Sequence, residues 1–300
     1  MSARRVYYGG QAVLDGVMIR GPHSMAVACR RPDGDIVVRR EPLTGLYVGP
    51  LRRIPLVRGV IVLWETLALG MRSLLFSSNV ALGEEEKEIS PIAVWGTALV
   101  ALALTAALFF AGPVLLSHWL EDRVESNVLV TIIEGVIRLG LVVGYVGLIG
   151  LLPDVRRVYA YHGAEHKSIH ALEHGDPLEP QWVQRYPTAH VRCGTSFLLT
   201  VVVISVVVFA ALGTPELWLR VVYRVALIPV IAAIAYEVIR LGSAFESSRV
   251  VRLLMWPNLA LQTLTTRQPN DGQVEVALRA LREVLATEEV EPAPTLPIEG

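Results

Sequence analysis

The chain has few of the features that mark secreted, disulfide-bonded or nucleic-acid-binding proteins. Cys29 and Cys193 are its only cysteines, so no disulfide framework is implied and a reducing compartment suits both. Lysines and arginines number 27 against 28 acidic residues, and the net charge of −1 predicts no nucleic-acid partner. The N-terminal stretch MSARRVYYGGQAVLDG is basic but lacks a following apolar segment. It is therefore not a secretory signal, and we expect the N-terminus in the cytoplasm.

Apolar residues, in contrast, are abundant. A hydrophobic fraction of 53% and a mean hydropathy of +0.48 exceed what a soluble domain carries. A bilayer span needs about 20 mostly apolar residues. Four segments meet this requirement: the uncharged 91–117 and 194–213, then 128–152 with Glu134 and Arg138, and 217–240 with Arg220, Arg224, Glu237 and Arg240. We predict a mainly α-helical, polytopic membrane protein with about four transmembrane helices and the lipid bilayer as its partner.

Loop charges predict the orientation of these spans. The N-terminal 90 residues and the connection 153–193 are rich in arginine, lysine and histidine, whereas the loops HWLEDRVESN and GTPEL are acidic or nearly uncharged. Basic loops stay in the cytoplasm. We therefore expect a multi-pass protein of the inner membrane with both termini and segment 153–193 cytoplasmic. Nothing in the sequence specifies a protein partner or an oligomeric state.

Charges within the spans are costly unless they are paired. If neighbouring spans are antiparallel, Glu134 and Arg224 lie at similar depth near the outer side. The sequence predicts that they form an ion pair, with Arg138 close by.

The sequence outside the spans divides into three parts. Residues 1–50 form a small β-rich cytoplasmic region, in which AVACRRPDGDIVVRRE predicts two strands around a Pro-Asp-Gly turn. Residues 51–90 contain an apolar stretch, 54–82, with charges at every seventh position: Arg58, Glu65 and Arg72. These share one helix face, which predicts an amphipathic helix lying against the membrane or the bundle, with a fifth span as the alternative. Residues 91–265 form the bundle, and 266–300 a C-terminal helix and tail.

The segment YHGAEHKSIHALEH contains the motif H-x-x-E-H twice, with histidines at 162, 166, 170 and 174. In the first copy, His162 and His166 lie one helical turn apart and can hold a divalent metal, while Glu165 can take a proton from its water. One ion cannot use all four histidines, because twelve helical residues span about 18 Å. We favour the first copy, since Gly163 within it suggests close approach by backbone or ligand. The alternative is a polar helix face without metal.

A catalytic metal usually has a third protein ligand. His190 and Cys193 precede the third span at the same cytoplasmic level, and Glu237 lies near the cytoplasmic end of the fourth. A thiolate ligand favours zinc. The alternatives are a small buried residue at a helix start for Cys193 and a partner of Arg240 for Glu237.

Four motifs in order, YYGGQAVLDGVMIRGP, YHGAEHK, RCGTSF and QTLTTRQPND, resemble the YqhQ-like family of bacterial membrane proteins, the domain of unknown function 1385. Members are labelled predicted metal-dependent enzymes, so the resemblance implies a metal but no substrate. The matched positions are Gly9, Gly10, Gln11, Asp15, Gly16, Arg20, His162, Glu165, His166, Lys167, His190, Arg192, Cys193 and Gly194. The chain departs from the pattern at Asp15, where glutamate is expected, and at Val191, where proline is expected. The shorter Asp15 side chain weakens the case for a direct role.

The leading functional hypothesis is metal-dependent hydrolysis at the cytoplasmic membrane face. His162 and His166 are the metal ligands, His190 or Cys193 completes the set, and Glu165 is the general base. A non-catalytic assembly or sensing factor with a structural metal is the main alternative, and a transporter is the third. The N-terminal glycines fit neither G-x-G-x-x-G nor a P-loop, so we interpret that motif as a structural turn.

Overall fold

The computed structural model describes residues 8–82, 90–121, 123–124, 126–213, 216–245 and 248–290. The strands are β1 (Gly9–Val13), β2 (Gly16–Arg20), β3 (Ser24–Arg30) and β4 (Ile36–Pro42). The helices are α1 (Val57–Leu82), α2 (Pro91–Ala106), α3 (Gly112–Glu121), α4 (Asn127–Ile149), α5 (Pro153–His174), α6 (Pro180–Val183), α7 (Gly194–Leu212), α8 (Leu217–Ala226), α9 (Ile228–Ala244), α10 (Arg249–Thr265) and α11 (Asp271–Val290). The predicted tail after residue 290 lies outside the described residues.

The four strands form one antiparallel sheet in sequential order. Asp15, with a φ of 47°, occupies the two-residue connection between β1 and β2, a position that aspartate tolerates. Gly34, with a φ of 101°, lies in the Pro-Asp-Gly turn between β3 and β4. These two strands pair from Ser24 opposite Pro42 to Arg30 opposite Ile36, which confirms the predicted hairpin.

Both faces of the sheet are covered by helices. Alternating side chains, including Val17 and Ile19, pack with α5 and α11 in one apolar cluster. The opposite face, including Met18 and Val27, packs on Leu69 of α1. Because strand side chains alternate between faces and both faces are covered, residues 17–19 of β2 and 25–29 of β3 are all apolar. The N-terminal sheet, the histidine-bearing helix α5 and the C-terminal helix α11 thus form one packed unit, the sheet unit.

The charged side chains of α1 form ion pairs with this unit and with the helical bundle. Glu65 is buried and accepts hydrogen bonds from Arg20 at 2.9 Å and Arg52 at 2.8 Å. Arg58, one heptad earlier, pairs with Glu237 of α9. Because these charged residues are seven positions apart, they lie on one face of α1, and that face meets protein partners. Large apolar side chains on the other faces of α1 stay exposed.

By length and composition, four described helical segments can cross a bilayer: Val57–Leu82, Trp95–Leu116, Val128–Ile149 and Gly194–Leu212. The last three match predicted spans. The predicted span 217–240 corresponds to α8 and α9, which meet the same criteria together as one segment bent by 44°. The stretch 54–82, predicted as an interfacial helix, meets the same criteria as the other candidates.

The ion pair predicted between Glu134 and Arg224 is present. Glu134 of α4 accepts hydrogen bonds from Arg224 of α8 at 2.6 and 2.5 Å and from Arg138 at 2.6 Å, and all three residues are buried. Arg138 also donates to the carbonyl oxygen of Phe109, at 3.1 Å. Phe109 belongs to a π-helical turn, Ala107–Ala111, between α2 and α3, and such turns alter the hydrogen-bond ladder of a helix.

Candidate metal centre

The histidines of the first motif are positioned by α5, whose two ends are encoded locally. Pro153 occupies the first helical position, where its missing N–H costs no hydrogen bond, and Gly175 ends the helix in a left-handed conformation with a φ of 74°. Within the helix, His162 and His166 project one turn apart, with ring centroids separated by 4.4 Å. The helical part of the motif prediction is confirmed.

Cys193 meets these two histidines from the start of α7. Its Sγ lies 3.2 Å from Nε2 of His162 and accepts from the backbone N–H of Thr195, so Cys193 also caps α7. The candidate ligand atoms of His162, His166 and Cys193 all lie within 4.8 Å of one another. Two imidazoles and a thiol therefore converge at the junction of α5 and α7, which is a donor set that zinc prefers.

Hydrogen bonds to backbone carbonyls fix the tautomers of both histidines. Nδ1 of His162 lies 2.9 Å from the carbonyl oxygen of Thr265, and Nδ1 of His166 lies 2.5 Å from that of Thr188. A carbonyl can only accept, so each Nδ1 carries the hydrogen and each Nε2 keeps its lone pair. Metal-binding histidines are typically oriented in this way. Burial also lowers the pKa of His166, which favours the neutral form that a metal needs.

His190 belongs to a second, shallower cluster. The candidate ligand atoms of His170, Glu173 and His190 lie within 4.8 Å of one another. The backbone N–H of Arg192 donates to Nδ1 of His190 at 3.2 Å, so Nε2 carries the hydrogen and points to Glu173, 3.3 Å away. Glu173 also pairs with the Arg192 guanidinium. Both ring nitrogens of His190 are thus hydrogen-bonded within this network, whereas in the first cluster Nε2 of His162 faces the thiol of Cys193.

The second histidine motif ends at the helix stop GDP, which predicts that it is solvated, and this holds for one of its histidines. His174 is exposed, but His170 is half-buried, and its Nε2 donates to the carbonyl oxygen of Ala189 at 2.9 Å. Burial lowers the pKa of His170 to about 4. One of its ring nitrogens also lies within 4.8 Å of the candidate ligand atoms of Glu173 and His190.

Glu165 lies beside the first cluster and faces β1. It is buried, and burial raises the pKa of its carboxyl group, as expected for a general acid or base. Its carboxylate accepts a hydrogen bond from the backbone of Gly10 and interacts electrostatically with His162 and His190. A Cβ atom on Gly10 would lie 2.9 Å from Cγ of Glu165. The glycine in the N-terminal motif therefore makes room for this glutamate.

Glu237 does not join either cluster. It accepts hydrogen bonds from Nε of Arg58 at 2.7 Å and from the backbone N–H of Leu56 at 3.0 Å. The sequence placed Glu237 near the site by its depth along α9. Depth does not specify which side of the helix a residue occupies, and this side faces α1. Glu237 is therefore a partner of Arg58 and not one of the candidate metal ligands.

The other motif positions make contacts around the site. Asp15 pairs with Arg157 at 3.0 Å, and Gln11 packs against Gly70. Lys167 is buried and donates to the carbonyl oxygens of Gln184 at 2.8 Å and Tyr186 at 2.6 Å. These contacts tie α5 to β1 and to the segment that leads to Cys193.

Sequence reasoning assigned no role to α10, although its end supports both clusters. Gln262 is fully buried, accepts from the backbone N–H of His190 at 2.8 Å and donates to the carbonyl oxygen of His190 at 2.9 Å. The carbonyl oxygen of Thr265 orients His162. Gly163 was predicted to allow a close approach, and a Cβ there would collide with the carbonyl oxygen of Arg267. The motif QTLTTRQPND was the available signal in the sequence, since it contains Gln262, Thr265 and Arg267.

Comparison of the sequence with known proteins identifies the family of this chain. The model of a family described as "Protein of unknown function (DUF1385)" matches residues 54–287. The chain belongs to this family. It is 36% identical over 295 residues to a Bacillus subtilis (strain 168) protein named "Uncharacterized protein YqhQ", covering 94% of this chain and 93% of that protein. No solved structure matches the chain. The DUF1385 match includes α5, Cys193 and the end of α10, and therefore every residue of the first cluster.

Proposed function

We propose that this DUF1385 protein is a metal-dependent hydrolase of the inner membrane, with a zinc site formed by His162, His166 and Cys193 at the cytoplasmic face. The observation that carries the proposal is the fixed tautomer of both histidines. One ring nitrogen of each histidine and the thiol of Cys193 lie within 4.8 Å of one another, so these three residues would hold the ion, which would supply Lewis acidity toward water or substrate.

The protein's own groups support this chemistry in distinct ways. The N–H groups at Nδ1 of His162 and His166 are held by carbonyl oxygens, which keeps the imidazoles oriented. Cys193, at the start of α7, would supply a soft sulfur ligand. Zinc in such a site supplies Lewis acidity and lowers the pKa of a bound water to about 7. In the proposed reaction Glu165, whose pKa is raised by burial, would take a proton from water and return it to a leaving group.

Separating the ligands from the base tests the proposal. His162→Ala and His166→Ala should each remove stoichiometric zinc from the purified protein, whereas Glu165→Gln should keep zinc, because glutamine preserves shape and loses basicity. All three should fail to restore the phenotype of cells that lack the native gene. The exposed His174 provides a matched control, and His174→Ala should retain both zinc and function.

Two outcomes would contradict this assignment. Wild-type protein purified without chelators and free of metal would remove every metal-based function. Full complementation by Glu165→Gln would remove the hydrolase and leave a structural metal.

A structural metal is the second candidate, and one observation favours it. The first cluster joins α5 to the start of α7, and the end of α10 holds His162 through the Thr265 carbonyl. A metal there would fasten the sheet unit to the bundle. The transporter hypothesis was raised by charges in the spans, and the ion pairs of Glu134 with Arg138 and Arg224 account for three of these charges.

The cytoplasmic location of the site has its own test. Reporter fusions at residue 180 and at the C-terminus should report the cytoplasm, and a fusion at residue 122 should report the outside, because basic connections remain inside. A fluorescent protein that folds in the cytosol identifies cytoplasmic positions, and a phosphatase that is active only after export identifies positions on the outside. Reversed signals would remove the argument that places the metal site in the cytoplasm.

A further inference from the structure

The N-terminal half of α10, Arg249–Trp256, has an exposed apolar surface that sequence reasoning left without a role. Val250, Leu253, Leu254 and Trp256 are 66% to 75% exposed. Arg249 and Arg252 are exposed beside them. Among the residues that the structure describes, neither arginine forms an ion pair with an acidic side chain. The surface is therefore both apolar and basic.

The packing of α10 places this surface at one end of the bundle. Asn258 donates to Thr200, near the start of α7, at 3.4 Å. Met255 packs on Gly242, near the end of α9, with its sulfur 3.1 Å from the position of a glycine Cβ. The start of α7 is also where Cys193 and the first cluster lie. Met255 thus places the N-terminal half of α10 beside the end of α9, whereas the C-terminal half of α10 lies toward the candidate metal centre.

This combination of groups fits the headgroup level of a membrane. Amphipathic helices with arginines beside leucine and tryptophan lie in the plane of the interface, with the apolar side chains toward the acyl chains. Tryptophan concentrates at that depth, and arginine binds phosphate with its planar fork of donors. Two exposed positive charges favour an anionic lipid over a zwitterionic one.

We propose that Arg249–Trp256 lies in the cytoplasmic leaflet and binds anionic phospholipid headgroups through Arg249 and Arg252. This rests on the membrane location proposed above and is independent of zinc or hydrolysis. The second half of α10 contacts the candidate metal centre through Gln262 and Thr265. The lipid-binding half and the site-supporting half are therefore parts of one helix.

Lipid binding is measured with the purified full-length chain in neutral detergent, titrated with phosphatidylglycerol and followed by native mass spectrometry. Wild-type protein should bind phosphatidylglycerol in preference to phosphatidylcholine. The double variant Arg249→Gln/Arg252→Gln should bind phosphatidylglycerol about thirty-fold more weakly, since each arginine near an anionic surface contributes about five-fold. The matched control, Arg39→Gln/Arg279→Gln, removes the same charge from exposed arginines of the sheet unit and should bind like wild type.

Unchanged thermal stability and zinc content in neutral detergent will show that the double variant is folded. Wild-type affinity in that variant would overturn the proposal. Equal competition by soluble glycerol phosphate would show a phosphate site rather than a lipid surface. A dimer of wild-type protein that Leu253→Ser/Trp256→Ser dissociates would assign the surface to a second copy. A metal-free protein that still selects phosphatidylglycerol would overturn the proposed zinc function while leaving this inference intact.

Discussion

Glu134→Gln should destabilise the protein by about 3–5 kcal/mol, because it leaves two buried guanidinium groups without their carboxylate. Glu134 accepts hydrogen bonds from both Arg138 and Arg224. Arg224→Gln should cost less, since Glu134 then keeps Arg138. Equilibrium unfolding in mixed micelles measures both free energies. Ser205→Ala is the control in the same bundle, because Ser205 is buried but bonds only within its own helix, at 2.7 Å from the Val202 carbonyl oxygen.

The ion pair also predicts strong coupling between these positions. Replacing Glu134 and Arg224 together with leucine should destabilise less than the sum of the two single replacements, and adding Arg138→Leu should recover more stability. Additive losses in the double-mutant cycle would show that the carboxylate and the guanidinium do not depend on each other.

Cys193→Ser should reduce zinc affinity by more than about 100-fold, whereas His190→Ala should reduce it by about 10- to 100-fold at most. The first change removes a converging ligand atom. The second removes a neighbour whose Nε2 carries a hydrogen toward Glu173, and changes in the outer hydrogen-bonding partners of a metal site have effects of the smaller size. Glu237→Gln should leave zinc affinity unchanged, because Glu237 pairs with Arg58. Competition with a zinc-binding dye measures all three affinities.

An equal loss of zinc in His190→Ala and Cys193→Ser would contradict the division into two clusters. It would mean that the His190 ring turns when metal binds, and that the second cluster contributes a ligand. The free energy of unfolding of each zinc-free variant serves as the control for misfolding.

The local sequence pattern predicted the geometry correctly where a single helix or a single hairpin determines it. The spacing of His162 and His166 placed two imidazoles on one helical face, and the Pro-Asp-Gly turn placed β3 opposite β4, because these contacts depend on local backbone geometry. Span depth predicted the pairing of Glu134 with Arg224 for a similar reason. Few partners exist for a charge at that depth, and leaving it unpaired is costly.

By itself, the amino-acid sequence determined the helical membrane-protein composition, the position of the histidine helix and the candidate donors near its level. Tertiary structure alone decided which donors meet. Cys193 and His190 are three residues apart, and only the turn before α7, held by Gln262, directs the thiol to His162 and the His190 ring to Glu173. Likewise, the rotation of α9 about its axis turned Glu237 to Arg58. Side-chain direction at a helix start or around a helix axis depends on packing partners that are distant in the sequence, and no local pattern encodes them.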